Sequence, residues 1–362
     1  RTYGGAGQEV AYAVVETSDG GYAIAGYTNS SGAGYDDFWL VKTDAYGNME
    51  WNQTYGGVGS ERAYSLVVTS DGGFALAGGG LLVKTDVYGN MEWNQTIGGS
   101  INSLVETFDG GYALAGYTYS FSAGYDDFWL VKTDSYGNLE WNRTYGGAGF
   151  DGASSLVVTS NGGFAIAGGV NGSICHSKGD FWLIKTDAYG NVEWNKTYSS
   201  TTWLDYAQSV VETSDGGYAL AGYTGFWSIT DVWVVKTDKY GNMEWNQKYG
   251  EGVARALVES SDGGYTLAGN NRLIKTDAYW NMEWNRTIGG SIRSLVETSD
   301  GGYAIAGTKN DDFWLAKTDE YGVIPEFPSW ASLLIVVVVV VVVAFVYRYN
   351  LKKQSRRRFD VI

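Results

Sequence analysis

Short apolar stretches, rich in β-branched and aromatic residues and alternating with polar positions, run along the chain to about residue 322, each cut off by Gly, Asp or Asn. In the first repeat this pattern predicts four strands: Ala11 to Thr17, Gly21 to Thr28, Phe38 to Thr43 and Met49 to Tyr55. Asp19-Gly20-Gly21 supplies the first hairpin, because glycine accepts the positive φ that a tight turn requires, and Asp44 to Asn48 supplies the second. The phrase from Thr17 to Gly26 returns six times, with its turn residue at Asp71, Asp109, Asn161, Asp215, Asp262 and Asp300. Two further phrases, Asp37 to Asp44 and Met49 to Gly57, complete the unit.

Seven four-stranded units at a period of roughly 40 to 50 residues predict an all-β fold, a seven-bladed β-propeller of four-stranded antiparallel blades, because radial packing hides most sheet edges. A solenoid of stacked strands is the weaker alternative. The seventh unit stops after its third strand, at Thr318 to Gly322, while Arg1-Thr2-Tyr3-Gly4-Gly5 reads as the end of the fourth strand it lacks. The N-terminal residues are therefore expected to complete the last blade, with strand donation by another subunit as the rival. Position 1 falls inside a repeat and is not Met, so the true N-terminus, with any signal peptide, is expected to lie upstream.

These phrases, Asp-Gly-Gly-Tyr, Asp-Phe-Trp and Gly-Asn-x-x-Trp, resemble the repeat-rich surface propellers of archaea and bacteria, related in strand pattern to kelch and quinoprotein-like propellers. The resemblance covers residues 1–322 and speaks to fold; for function it is nearly silent, because such propellers bind, scaffold or catalyse. Gly47 to Trp51 is similar to the tryptophan-docking phrase of quinoproteins, but those have eight blades, and no cofactor site is located here, so no cofactor is expected.

The chain changes character near its end. Trp330 to Tyr347 is almost unbroken apolar sequence, about the length a transmembrane helix needs, with Trp and Tyr at its two ends. Residues 323–329 form a Pro-containing spacer and 348–362 a basic tail, which places the tail in the cytoplasm and the propeller outside the cell. Within the spacer, Pro325-Glu326-Phe327 resembles the sorting signal of archaeal surface proteins, which implies processing by an archaeosortase; a rigid spacer before an ordinary anchor is the equal alternative. Residues 348–362 hold six basic side chains and one acid, which leaves 19 basic and 39 acidic residues before them, a net of −20. An acidic body of this kind argues against nucleic acid as a partner.

Turns after strands 1 and 3 of each unit are uniform, and they share one face; loops after strands 2 and 4 vary in length and share the other. The tether leaves from the uniform face, so the variable loops are expected to point away from the membrane, where binding usually resides. Registered on the Asp-Gly-Gly turn, one column at the start of the inner strands, where the mouth of the propeller's central channel is expected, reads Tyr12, Tyr64, Asn102, Ser154, Gln208, Arg255 and Arg293, while two residues on only Val or Leu occurs. Two guanidiniums beside two phenol rings suit an anionic sugar or a carboxylate. Filling of gaps between blades, or pairing with nearby acids, is the simpler explanation.

Tyr119, Phe121, Tyr125, Phe150, Trp203, Phe226 and Trp227 offer a second, aromatic surface on the variable loops. Asp37, Asp127, Asp180, Asp231 and Asp312, before the third strands, are expected to cap loops rather than to bind Ca²⁺. Sequons stand at Asn29, Asn52, Asn94, Asn142, Asn171, Asn195 and Asn285, several inside the repeated Trp-Asn phrase. Cys175, the single cysteine, is read as a small buried side chain and His176, the single histidine, as a solvated loop residue, so no nucleophile and base pair is apparent. Acids that break the repeat, Glu61, Asp151, Asp205 and Glu251, are the candidates for a glycosidase-like pair. The first functional expectation is a non-enzymatic cell-surface binding or adhesion module for glycans or envelope proteins; the alternatives are a surface coat or filament protein and, third, a polysaccharide-active enzyme.

Overall fold

A computed structural model describes residues 1–120, 124–171, 179–200, 204–226 and 229–324, with Asn171 and Phe226 described by their backbone alone. Residues 1–323 form one compact unit. The apolar segment 330–347, the Pro-Glu-Phe motif, the basic tail, Phe121, Cys175, His176, Trp203 and Trp227 lie outside the described residues. Among those described, no helix is long and apolar enough to cross a membrane.

The strands fall where the pattern places them. After β1 (Thr2–Tyr3), the first full sheet runs β2 (Glu9–Glu16), β3 (Tyr22–Thr28), β4 (Asp37–Thr43) and β5 (Met49–Tyr55), each antiparallel to the next. The first long strand begins at Glu9, two residues before the expected start, because Glu9 and Val10 still pair with Thr28 and Tyr27. The same meander recurs along the chain. In the second half, neighbouring sheets join through a single parallel bridge, Gly179 to Leu204, and through continuous strands that bend at Asn270 and at Gly289-Gly290, all with positive φ.

Local chemistry explains the uniform turns. Gly20 has φ of 79°, Asp19 Oδ1 accepts from the Gly21 N–H and the Thr17 hydroxyl, and a Cβ on Gly21 would lie 2.1 Å from the Thr43 carbonyl. Lys42, 5% exposed, then donates from Nζ to Asp19 at 2.7 Å, Glu50 at 2.9 Å and the Thr43 carbonyl at 2.9 Å. Lys84, Lys132, Lys185 and Lys236 repeat that cradle, with Asn161 in place of the aspartate at Lys185.

Each apolar cluster draws on two successive repeat units. Ala23, Leu40 and Tyr55 of the first sheet pack on Leu66, Phe74 and Val83 of the second. Tyr3, Ala304, Phe313 and Leu315 pack on Val14, Ile24 and Trp39, so the last sheet meets the first. Thr2 and Tyr3 pair with Trp314 and Phe313, which makes the first residues the outermost strand of the final sheet, as the interrupted repeat predicts. Polar links follow the same path: Ser65, Ser103, Ser155, Ser209 and Ser294 accept the N–H of Leu104, Leu156, Val210, Leu257 and Val14 across the joints. On the outside, the Tyr55 hydroxyl donates to the Gly89 carbonyl at 2.7 Å, and the Tyr3 hydroxyl closes the end-to-start joint on the Gly47 carbonyl at 2.8 Å.

Candidate functional site

The residues of the mouth column are bulge residues. The β2–β3 ladder steps from Ala11 directly to Ala13, leaving Tyr12 outside it, and the same skip isolates Asn102, Ser154, Gln208 and Arg293. Tyr64 and Arg255 stand at the equivalent place, each just before its ladder resumes. A bulge re-aims one side chain without disturbing those beyond it, so Val14 and its equivalents stay in the core while the skipped residue turns elsewhere.

Where these side chains turn is common to all seven. Tyr12, Tyr64, Asn102, Ser154, Gln208, Arg255 and Arg293 line one cavity of about 390 Å³. Tyr206 and Tyr223 line it too; they belong to other columns, and the registered repeat gave no reason to select them. Tyr206 stacks on Tyr223 at 6.1 Å, donates its hydroxyl to the Gly152 carbonyl at 2.9 Å, and fills space that a Cβ on Gly169 would close. Burial pushes both phenols above their ordinary pKa, which keeps them neutral.

Four tyrosines, two arginines and three neutral polar residues make the wall. Tyr12 meets Tyr64 edge to face at 4.8 Å, and the Arg293 guanidinium carbon lies 4.8 Å from the centre of the Tyr12 ring. Neither Arg255 nor Arg293 forms an ion pair among the described residues, and the Nε of each is buried with no acceptor. Burial, followed by the neighbouring Arg293, pulls Arg255 below the usual guanidinium pKa. Arg62, close by, shows what neutralisation looks like in this protein: its Nε and Nη2 reach Asp36 Oδ2 at 2.9 and 2.7 Å, and it lies over Tyr27. Pairing with acids therefore does not account for Arg255 and Arg293. Gap filling does account for Asn102, whose amide donates to the Ala153 carbonyl at 2.8 Å.

Three of the four acids read as departures from the repeat belong to it. Counting three residues back from each mouth position gives Glu9, Glu61, Asp151 and Asp205, with Gly99, Gly252 and Gly290 in the other three units. Glu9, Glu61 and Asp151 accept the N–H of Gly5, Gly57 and Gly147, and Asp205 accepts that of Ser200. They cap the loops that enter the inner strands. Glu251 lies at the end of an outer strand, in register with Asp231. Asp37 caps likewise, through the Gly34 N–H.

On the variable loops, Tyr125 and Phe150 form one contact at 4.4 Å, and Tyr119 is exposed. The sequon asparagines inside the repeat carry a structural role: Asn52, Asn142 and Asn195 accept from the indole N–H of Trp39, Trp129 and Trp182. Asn94 donates to Met91 Sδ, Asn285 accepts from Arg272, and Asn29 accepts the Gln8 N–H.

Comparison with known proteins gives the class. No protein-family model and no curated protein matches the chain by sequence. Among solved structures, the chain is similar to Sqt1 of Chaetomium thermophilum, with a TM-score of 0.59 and 11% identity over 91% of this chain and 86% of that one. The Pan2 WD40 domain of Neurospora crassa gives 0.60 and 9%, over 86% and 89%. BamB of Moraxella catarrhalis gives 0.50 and 14%, over 85% of each. At these identities the likeness is one of fold, and the fold is a β-propeller of four-stranded antiparallel sheets.

Proposed function

We propose that the chain is a membrane-anchored surface binding module, a seven-bladed propeller whose central mouth takes an anionic, carboxylate-bearing ligand. Support for seven blades comes from the seven Asp-Gly-Gly turns (Asn-Gly-Gly in one) and from the contacts between first and last sheets. Support for the anchor comes from the 330–347 segment and the basic residues after it, which orient the propeller outward. The observation that carries the ligand class is the pair of unneutralised guanidiniums, Arg255 and Arg293, facing a tyrosine-lined cavity in a body that is otherwise acidic. Two planar donor forks and flat aromatic walls fit a carboxylate on a sugar ring or on a peptide. Sqt1 has been crystallised bound to the N-terminus of ribosomal protein L10, so a peptide segment is a reasonable form for such a ligand.

Binding is favoured over catalysis because the carboxylates nearest in register to the mouth, Glu9, Glu61, Asp151 and Asp205, are engaged by loop amides. The exposed sequons Asn29, Asn52, Asn94, Asn195 and Asn285 are compatible with glycans on an outward-facing body. Titration calorimetry with the full chain in detergent, against uronic-acid oligosaccharides and acidic peptides, tests the reading. Binding is expected for carboxylated compounds over their neutral counterparts, falling at least tenfold when Arg255 and Arg293 are both replaced by Ala. Unchanged affinity in that variant overturns it.

A further inference from the structure

The two faces of the propeller differ in what they expose. Of the 22 large hydrophobic side chains that stand exposed among the described residues, 17 lie on the uniform face or its rim, at the turns after the first and third strands or the strand start beside them. They form a repeated pair. The third-strand turn of every unit holds out a tyrosine, at Tyr46, Tyr88, Tyr136, Tyr189, Tyr240, Tyr279 and Tyr321, each 59 to 86% exposed. Two or three residues later stands an exposed Met, Leu or Val, as at Met49, Met91 and Leu139.

No packing need inside the propeller explains a tyrosine there. Its backbone is fixed without it: Asp44 Oδ1 accepts the N–H of Tyr46 and Asn48, and Asn48 Nδ2 donates to Asp44 Oδ2, an arrangement repeated at Asp86, Asp134, Asp187, Asp238 and Asp277. The rings are thus held outward on rigid turns, and single exposed apolar residues would need no explanation, whereas a ring of them does.

We infer that this crown of tyrosines is a membrane-docking surface that seats the propeller flat on the headgroup layer of the bilayer that anchors it. The inference rests on the anchor reading above. From Ile324 to the start of the apolar segment at Trp330 the chain has only residues 325–329, a reach of about 20 Å when fully extended. About 6 Å of that is spent crossing the headgroup region, which keeps the face that emits the tether close to lipid. Tyrosine is suited to that layer, with an apolar ring and a hydroxyl that stays hydrated.

Charge selects the lipid. Most units set carboxylates of the Asp44, Asp19 and Glu50 kind on this face against one buried lysine, with Asn161 in place of the aspartate in one unit and no Glu50 counterpart beside Lys317, and the Asp44-type groups are held below their ordinary pKa, first by the Asn48-type side chain in most copies, so they stay ionised. The crown therefore takes a neutral or zwitterionic surface and is repelled by anionic lipid, the reverse of a polybasic peripheral protein. The same repulsion disfavours a second copy as the occupant.

The experiment uses the full chain in zwitterionic nanodiscs, with radical footprinting of tyrosines read by mass spectrometry. Tyr35 and Tyr119, equally exposed on the variable face, are internal references. All seven crown tyrosines are expected to label several-fold more slowly than these two, the protection shrinking when anionic lipid is added and returning with salt. Replacing Tyr88, Tyr136 and Tyr189 by Ser, far along the chain from the tether, should restore labelling at Tyr46 and Tyr240 without changing the melting temperature. Crown tyrosines that label as fast as the references, or protection confined to Tyr321, overturn docking while leaving the anchor standing. A chain that fails to enter nanodiscs overturns both readings.

Discussion

Replacing Arg255 by Met should make this protein more stable while weakening the carboxylate binding proposed for the cavity. The Arg255 Nε is buried with no acceptor, a condition that costs about 1–3 kcal/mol for a polar group left unpaired. Arg293 adds like-charge repulsion, consistent with the lowered pKa of Arg255, and no carboxylate compensates either group among the described residues. Methionine keeps most of the methylene stem, so the packing lost is small and the expected net gain is about 1–2 kcal/mol. In a body of this size that corresponds to a rise of roughly 2 °C in melting temperature. Urea unfolding of the ligand-free chain gives the stability, and calorimetry gives the binding. Arg293→Met should behave similarly, and the double variant should gain less than the sum, because removing either charge already relieves the repulsion. A loss of more than about 1 kcal/mol in Arg255→Met would show the guanidinium to be a packing element and would remove the basis for an anion site.

Three further outcomes follow from the fold. Lys84→Met should cost about 2 kcal/mol in urea unfolding, below the usual loss for breaking a buried pair, because Asp71 and Glu92 are themselves half exposed and screened. Stability should fall as pH drops from about 4 toward 2: Lys317, then the Thr298 hydroxyl, hold the Asp300 carboxyl down at about 2, and Lys84 holds Asp71 there against the opposing pull of burial. A group depressed on folding gives stability above its unfolded pKa of about 3.9 and loses it below, so urea midpoints flat between pH 5 and 2.5 would contradict the assignment. Trp280→Gly should destabilise by about 2–3 kcal/mol, since the loss of a ring stacked on Tyr265 at 3.9 Å and packed at a tilt against Trp245 at 4.6 Å outweighs relief of its left-handed backbone.

Trp280 also shows how far the sequence carries the fold. Its place belongs to the glycine of the Gly-Asn phrase, where the tryptophan of the preceding outer strand leaves no room for a Cβ, as the Trp51 ring, 2.6 Å from a Cβ built on Gly89, shows. The repeat makes such a position legible because six copies keep the rule. Lys42 was not legible: a lysine between apolar residues looks like a solvated charge, and only the hairpin that folds Asp19 over it, with Glu50 from the next strand, makes a buried cation sensible. Glu61, Asp151 and Asp205 looked irregular because the loops before them differ in length, yet counted back from the turn they share a column with Glu9. Tyr206 and Tyr223 escaped for the opposite reason, since each reaches the cavity from a column whose other members do not line it.

A repeated fold separates positions governed by packing from those that are not. The residue two beyond the mouth is Val or Leu in every unit because it points into a joint between sheets, and each joint presents the same shape. The bulge residue lines the shared cavity, and apart from Asn102, which bonds the next sheet, packing does not hold it to one type. Seven copies carry Tyr, Tyr, Asn, Ser, Gln, Arg and Arg. Chance variation at a solvated position would leave such residues unordered, but here the two cations are adjacent, the two tyrosines follow them, and the guanidiniums lack the partner that Arg62 has. An arrangement that costs stability and lies next to unused volume is what a binding site requires before its ligand arrives. The crown on the opposite face follows the other rule, identical in all seven units, which is what a flat and featureless partner such as a lipid surface would demand.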